Sequence, residues 1–110
     1  MRLPNAGRAV VDIEKIRGYC LSAEHPRGRH KARVFAARLG LTSAHAEELQ
    51  LALLAAAVDH DATATEVDEY GKRYVVDFLL KRPDRTAKVR SNWIVRRNED
   101  FPRLTSCHVL

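Results

Sequence analysis

The sequence contains no long apolar segment. No apolar run reaches the roughly 18 residues that a membrane-spanning helix needs, and the N-terminal residues form no apolar core of the kind found in signal peptides. We therefore expect a cytoplasmic protein without a membrane partner. Cysteine is scarce, with only Cys20 and Cys107. The two can pair only if the fold brings them together, and a cytoplasmic location favours two reduced thiols.

Motifs for metal ions and nucleotides are also missing. The five histidines form neither HExxH nor a Cys/His pattern with zinc spacing. The five glycines include neither GxGxxG nor GxxxxGKS/T, the loops that cradle nucleotide phosphates. Cys107 and His108 are adjacent, but neighbours on a strand point to opposite faces, which argues against a nucleophile pair. We therefore expect no metal site and no cofactor, and nucleotide hydrolysis is disfavoured.

What the sequence does contain suits a small folded unit with a basic surface. Its 110 residues, 45% hydrophobic and 30% charged, are enough for one core and too apolar for a disordered chain. We expect a single domain over 1–110, with a helical half at 1–60 and a sheet half at 61–110. The 19 Lys and Arg exceed the 14 Asp and Glu, which favours a polyanionic partner such as nucleic acid. A merely solvated basic surface is the alternative.

Apolar residues at helical spacing predict three helices in the first half. Each has a capping residue at an end. The predicted helices are a short one after Asp12 that ends by Ser22, one from 29 to 39 before Gly40, and one from 43 to 58 after Thr42 or Ser43.

The pattern changes to a period of two after residue 61, which predicts strands. Turn residues at 83–85 and 98–102 separate a hairpin and a last strand. The predicted strands cover about 73–80, 87–97 and 103–109, with a short extra one at 63–67. This order predicts an α+β fold in which two to three N-terminal helices pack on one face of a three- to four-stranded antiparallel sheet.

Alternation assigns each strand residue to one face of the sheet. Tyr74, Phe78 and Trp93 are predicted to face the helices, and Trp93 is read as a core residue rather than a base-stacking platform. The opposite face then collects cations with only Asp77 among them, which predicts a strongly basic surface. A solvated outer face is the alternative. The polar residues predicted on this face are Arg73, Lys88, Arg90, Asn92, Arg96, Arg103 and Thr105.

A second concentration of charge lies at 25–33, in the stretch HPRGRHKAR. It precedes and begins a predicted helix, whose free N–H groups and dipole stabilise an anion. Cations in a first helical turn oppose that dipole, which makes more sense if a phosphate binds among them. His25 and His30 would then share proton transfer while Lys31 offsets phosphoryl charge. The alternative is that His25 packs the loop and the cations are simply exposed.

Several motifs together resemble a known family. They are LPNA at 3–6, YCL at 19–21, HPRGRHKARVF at 25–35, LG at 39–40, YGKRY at 70–74, WI at 93–94 and FPRLT at 101–105. The chain resembles an uncharacterised bacterial domain family with an HPxGxxKAxxF-like motif, found as stand-alone proteins and as C-terminal cargo of polymorphic and phage-linked toxins. It also looks like the wider barnase, EndoU, colicin and RelE-like ribonuclease group. The chain departs from the family at 107–110, where CHVL replaces a final aromatic or proline turn.

The wider resemblance implies a metal-independent endoribonuclease toxin whose partners are RNA and a small, acidic antitoxin. His25, His30 and Lys31 are then the first catalytic or phosphate-binding candidates, followed by Arg103 and Thr105. In such an enzyme a histidine moves protons, Lys31 with Arg103 or Arg96 stabilises the phosphorane, and Thr105 bonds a phosphate oxygen. The nucleic-acid-binding candidates are Arg27, Arg29, Arg33, Arg73, Lys88, Arg90 and Arg96.

Two other functions stay open at this point. One is a non-catalytic interaction domain, such as an antitoxin, an immunity protein or a nucleic-acid-binding adaptor. The other is an enzyme for a small anionic substrate, which would need a deep pocket that a short chain supplies with difficulty. The oligomeric state is also open, homo-oligomers included.

Overall fold

The computed structural model describes residues 1–110, with helices in the first half and a four-stranded sheet in the second. The predicted α+β class is confirmed. No helix combines the length and apolar character needed to cross a membrane.

The first helix is short and widens after one turn. Asp12 caps α1 (Ile13–Lys15), and its Oδ1 accepts the N–H of Glu14 at 2.9 Å. The chain continues as a π-helix, Ile16–Cys20, which ends at Leu21. The predicted cap and span of this helix are confirmed, but helical spacing alone gave no sign of the π turn.

The next two helices agree closely with the predicted ranges. α2 (Arg29–Leu39) ends at Gly40, whose φ of 68° is the left-handed conformation that glycine adopts easily. A 3₁₀ turn at Ser43–His45 then leads into α3 (Ala46–Asp59). Leu49, Leu53 and Ala57 of α3 are fully buried, which places the predicted apolar stripe against the sheet.

The sheet is antiparallel, with its strands in chain order. Its strands are β1 (Thr63–Asp68), β2 (Gly71–Arg82), β3 (Arg85–Arg96) and β4 (Pro102–Val109). The short extra strand predicted at 63–67 is therefore confirmed: it is β1, which forms an exposed edge of the sheet.

The core lies between the sheet and the helices. Tyr74, Val76 and Phe78 of β2 pair with Trp93, Ser91 and Val89 of β3, and all six are buried. Trp93 is therefore a core residue, as predicted. Ser91 is the one buried polar residue here: its Oγ accepts the indole N–H of Trp93 at 2.8 Å and donates to the carbonyl of Val76 at 2.7 Å.

The N-terminal segment joins the far edge of the sheet. Val10 donates its N–H to the carbonyl of Pro102 at 2.9 Å and accepts the N–H of Leu104 at 3.0 Å, which makes a short parallel contact with β4. The register between β3 and β4 shifts after Asn92, so that Thr105 has no directly opposed partner. This β-bulge and the departing N-terminal segment together open the edge of β4 beyond Leu104.

Candidate functional site

Two adjoining cavities open at this edge of the sheet, and we call them together the β4 cleft. The larger measures about 520 Å³ and is lined by Asp12, Lys15, Tyr19, His25, Arg27 and Thr105. The smaller measures about 200 Å³ and is lined by Val10, Asp12, Lys15, Ile94, Arg96, Arg103, Leu104 and Thr105. Because Asp12, Lys15 and Thr105 line both, the cavities form one continuous surface.

Each wall of the β4 cleft comes from a different part of the chain. The cap of α1 supplies Asp12, and the turns that follow supply Lys15 and Tyr19. The loop before α2 supplies His25 and Arg27, and the opposite wall is β4. The fold therefore brings together five residues that the sequence singled out: His25, Arg27, Arg96, Arg103 and Thr105.

His25 is fixed in the loop by its ring. Its Nδ1 accepts the backbone N–H groups of Arg27 at 3.0 Å and Gly28 at 3.1 Å, and the ring meets Tyr19 edge to face at 4.7 Å between centroids. Since Nδ1 is an acceptor, the neutral ring carries its proton on Nε2. A proton on Nδ1 would oppose both N–H donors. This arrangement makes His25 a hydrogen-bond donor through Nε2 and opposes the predicted proton-transfer role.

Gly28 allows this loop to lie against the preceding helix. A Cβ atom at Gly28 would overlap the carbonyl oxygen of Tyr19 and would lie 3.2 Å from Cδ1 of the same residue. The φ of Gly28 is −92°, which any residue adopts. Close approach is therefore the reason for glycine in the HPRG segment.

The cations of the β4 cleft divide into free and paired groups. Lys15, Arg27 and Arg96 form no ion pair with a carboxylate. Arg103, in contrast, donates to both oxygens of Glu99 at 2.8 and 2.9 Å, and its guanidinium lies 5.0 Å from the ring centre of Phe101. Only its Nη1 stays free of Glu99.

The hydroxyl of Thr105 is also engaged. It donates to the carbonyl of Asn92 at 3.1 Å, which spans the β-bulge. Thr105 can bond a phosphate oxygen only if that hydroxyl rotates away from Asn92.

The outer face of the sheet is less basic than predicted. Arg73 pairs with Asp68 at 2.6 Å, and Arg90 pairs with both oxygens of Asp77 at 2.8 and 2.9 Å. These hydrogen bonds hold the pKa values of Asp68 and Asp77 below the ordinary value of an aspartate. The hydrogen bonds from Arg103 lower the pKa of Glu99 in the same way. The expectation of a strongly basic face is wrong because Asp68 and Glu99 come from the ends of strands and turns, outside the alternating pattern. Lys88 and Arg96 stay exposed and unpaired.

The remaining predicted residues lie on α2, outside the β4 cleft. Arg29, His30 and Arg33 are exposed and form no ion pair. Lys31 is half-buried, and its charge acts on Cys20, Cys107 and His108, so that it lies toward β4. The fold therefore brings His25 near Thr105 but leaves His30 outside.

His108 occupies a partly buried position beside these groups. Its Nδ1 is buried without a hydrogen-bond partner. Burial, with smaller effects from the charges of Lys31 and Arg90, lowers the pKa of this histidine.

Sequence reasoning did not assign three polar residues of the β4 cleft, Asp12, Lys15 and Tyr19, to a functional site. Lys15 carried no signal, because a single lysine on a short helix is ordinary. Tyr19 belonged to the YCL motif, but nothing in the spacing placed it against His25. Asp12 was identified as a helix cap, and its second role as a cleft residue depends on the position of β4.

These features define an α+β domain with a cation-rich cleft between its first helix and its last strand. The chain belongs to the family described as Domain of unknown function (DUF6883), which it matches over residues 2–110. The expected membership of an uncharacterised domain family is thus confirmed at that level. No curated protein matches the sequence.

A solved structure shares this fold. A chain of the contact-dependent growth inhibition toxin–immunity protein complex from Klebsiella pneumoniae 342 superimposes with a TM-score of 0.65 at 18% sequence identity. The match covers 94% of this chain and 95% of that chain. At this level of identity the similarity establishes the fold alone.

Proposed function

We propose that the chain is a toxin that binds RNA in the β4 cleft and cleaves it without a metal ion. The observation that carries this proposal is the convergence of three unpaired cations, Lys15, Arg27 and Arg96, with a single carboxylate in one open cleft. RNA phosphates bind where cations converge, and RNA brings its own nucleophile. The fold shared with a chain of a toxin–immunity complex supports a role in a toxin–immunity pair, and the cation-rich cleft favours the toxin of such a pair.

The chemistry needs only a few groups. The 2′-hydroxyl attacks the adjacent phosphorus, a base takes the hydroxyl proton, and the 5′-oxygen of the next nucleotide leaves as it gains a proton. Asp12 is the base in this proposal, because its Oδ1 holds the N–H of Glu14 while Oδ2 is free. Lys15, which lines both cavities beside Asp12, offsets the charge of the phosphorane.

The residues predicted from the sequence take supporting roles. His25 donates Nε2–H to a phosphate oxygen, and Arg27 attracts the same phosphate. Arg103 contributes through Nη1, and Thr105 contributes once its hydroxyl has rotated. Lys31 lies on α2 toward β4, where it would meet a neighbouring phosphate.

The exposed arginines of α2 extend this site. Arg29 and Arg33 are four residues apart, which places them one above the other about 6 Å apart along the helix. Because they have no carboxylate partner, they are free to neutralise phosphates of a strand that leaves the cleft. Replacing both with glutamine is expected to reduce the slope of log K against log salt by about 1.4 for single-stranded RNA.

The test is cleavage of total RNA in excess EDTA by the parent and by three variants: Asp12→Asn, Lys15→Gln and His25→Ala. Asparagine is as good a helix cap as aspartate, so Asp12→Asn removes the basic oxygen and retains the cap. We expect it to lower kcat by about 10²- to 10⁴-fold without a change in melting temperature. Lys72→Gln, an exposed change on β2 outside the cleft, is the control and should cleave as the parent does.

Two outcomes would overturn the proposal in different ways. Intact RNA with the folded parent would exclude a ribonuclease. Identical fragments from the parent, Asp12→Asn and Lys15→Gln would retain the ribonuclease and reject the β4 cleft as its site. A His25→Ala, His30→Ala double variant that cleaves normally would also remove both histidines from the chemistry.

A second candidate function is a non-catalytic interaction domain of a toxin–immunity pair. It is favoured by one observation: the ring of His25, the hydroxyl of Thr105 and the guanidinium of Arg103 are all engaged in bonds within the chain. The three unpaired cations would then meet an acidic partner protein rather than RNA. This function predicts that cells tolerate expression of the protein and that the protein forms a stable complex with its partner. The double variant Lys15→Glu, Arg27→Glu should disrupt that complex, and RNA incubated with the parent protein should stay intact.

A further inference from the structure

Half of β2 forms an open edge of the sheet. β1 pairs with β2 only as far as Val75, which lies opposite Thr63. Residues 76–82 go on to pair with β3 on one side and have no strand on the other. An edge of this kind is a ready template for pairing with a further strand.

The hydrogen bonds of the hairpin show which residues face that edge. The carbonyl of Tyr70 accepts the N–H of Arg97 at 3.2 Å, which makes these two residues a hydrogen-bonded pair of the hairpin. Such pairs alternate along an antiparallel ladder, so the even-numbered residues of β2 bond to β3 and the odd-numbered ones direct their N–H and C=O groups away from it. At the open edge the odd-numbered residues are Asp77, Leu79 and Lys81.

An apolar groove runs along the same edge. It is a cavity of about 270 Å³ between α3 and β2, and its apolar lining consists of Ala52, Ala55, Ala56, Phe78, Leu79 and Leu80. Because the apolar side chains from α3 are alanines, the helix leaves space beside the edge of the strand. The backbone groups at the open edge are therefore bordered by an apolar surface.

Exposed apolar side chains border the groove. On α3, Leu51, Ala55 and Val58 are spaced by four and three residues and form one stripe. Leu51 and Val58 are 66% and 50% exposed, and Leu79 on β2 is 56% exposed. Three large apolar side chains around one groove mark an interaction surface. We call residues 76–82 together with this stripe the β2 edge surface.

We propose that the β2 edge surface binds a second copy of the chain, so that two β2 strands pair antiparallel across a twofold axis. In the register that uses all three free residues, Leu79 meets Leu79 of the second copy on the axis. Asp77, with Arg90 of its own chain on one side, then lies opposite Lys81 of the second copy. Lys81 is exposed and forms no ion pair within the chain, and opposite charges on facing strands stabilise the pairing. The surface is therefore complementary to itself.

No neighbouring register fits the edge as well. A shift by two residues is the smallest one that keeps each side chain on its own face of the sheet. In one direction it sets Lys81 opposite Val75, whose edge is already taken by Thr63. In the other it sets Asp77 opposite Pro83, which has no N–H to donate. The three free residues therefore fix one register.

The same axis places the helices side by side. A twofold axis perpendicular to the sheet keeps the helices of both copies on one face of a continuous sheet. The α3 stripes then face each other, which buries Leu51 and Val58. Since the β4 cleft lies at the far edge of the sheet, beyond β3, the dimer has one open cleft at each end.

The test is sedimentation of the full-length chain from micromolar to millimolar concentration. We expect a species of twice the 12.4 kDa monomer mass to increase with concentration. Leu79→Glu sets two carboxylates against each other on the axis and removes the leucine contact, so the dissociation constant should rise by about 100-fold or more. Val67→Glu is the matched control. This valine is 70% exposed on β1, outside the β2 edge surface, and its variant should dimerise as the parent does.

Two more variants separate the charge pairs from the contact on the axis. Lys81→Gln removes the pairs between Asp77 and Lys81, so the dissociation constant should rise by about 2- to 30-fold, and less at high salt. Leu79→Cys introduces a thiol at the axis, where a short bismaleimide should link two copies, whereas Val67→Cys should not be linked. The two native cysteines are buried and do not compete for the reagent.

A parent that stays monomeric up to millimolar concentration would overturn the proposal and leave the edge to a strand of another protein. A dimer that Leu79→Glu leaves intact, or that Val67→Glu disrupts instead, would overturn it as well. Circular dichroism establishes that each variant is folded before it is compared. No RNA is present, so the outcome is independent of the proposed ribonuclease activity.

Discussion

Replacing Gly28 with alanine tests whether the loop that carries His25 depends on close contact with the first helix. The new Cβ would overlap the carbonyl oxygen of Tyr19, which is backbone and cannot rotate away. The backbone angles of Gly28 suit alanine, so the cost comes from steric overlap alone. Overpacking of this kind costs about 1–3 kcal/mol of the free energy of unfolding.

That free-energy cost corresponds to a decrease in melting temperature. A domain of this size loses about 4 °C for each kcal/mol, so Gly28→Ala is expected to melt about 4–12 °C lower than the parent. The displaced loop also moves His25 and Arg27, so the proposed function predicts that RNA affinity falls together with stability.

The chain offers a matched control. Gly18 lies within the π-helix Ile16–Cys20, and a Cβ there has no atom within 4 Å. Gly18→Ala should therefore gain about 0.5–1 kcal/mol from the reduced entropy of the unfolded chain. Thermal unfolding followed by circular dichroism measures both variants. Equal melting temperatures for Gly28→Ala and Gly18→Ala would refute the argument from close approach.

Two further predictions concern the sheet. Ser91→Ala leaves the buried N–H of Trp93 without an acceptor and should cost about 1–3 kcal/mol, measured by urea denaturation; an unchanged midpoint would contradict this. Acid should destabilise the fold, because the pKa values of Asp68, Asp77 and Glu99 are lower in the folded chain than in the unfolded chain. Their ionised carboxylates stabilise the fold fully above the ordinary pKa values of 3.8 to 4.5, and progressively less as pH falls through the lower folded values. Asp77→Asn should flatten this dependence of melting temperature on pH, and an unaltered pH profile would exclude the Asp77–Arg90 pair as a contributor.

The fold was largely predictable because local signals agreed with the global architecture. Caps at Asp12 and Gly40 and the change of period after residue 61 each marked a boundary that the structure respects. The π turn at Ile16–Cys20 was not predictable, since a wider turn leaves the same apolar residues on one face over so short a helix.

The candidate site was predictable only in part. Alternation identified which strand cations share a face, but it could not find Asp68 and Glu99, whose positions depend on turns. The position of Lys15 opposite β4 depends on the parallel contact of Val10 with Arg103, residues almost a whole chain apart. No local pattern encodes such a contact. Whether these residues act on RNA stays a prediction.

The separation of the two walls of the β4 cleft along the sequence determines when the cleft can form during synthesis. One wall of the β4 cleft comes from residues near 12–27 and the other from residues near 96–105, so the first wall leaves the ribosome long before its counterpart exists. Contacts between residues this far apart in sequence form late in folding, because the long loop between them must close first. A partly synthesised chain therefore has no cleft, and whatever binds at this site can do so only after β4 has been added.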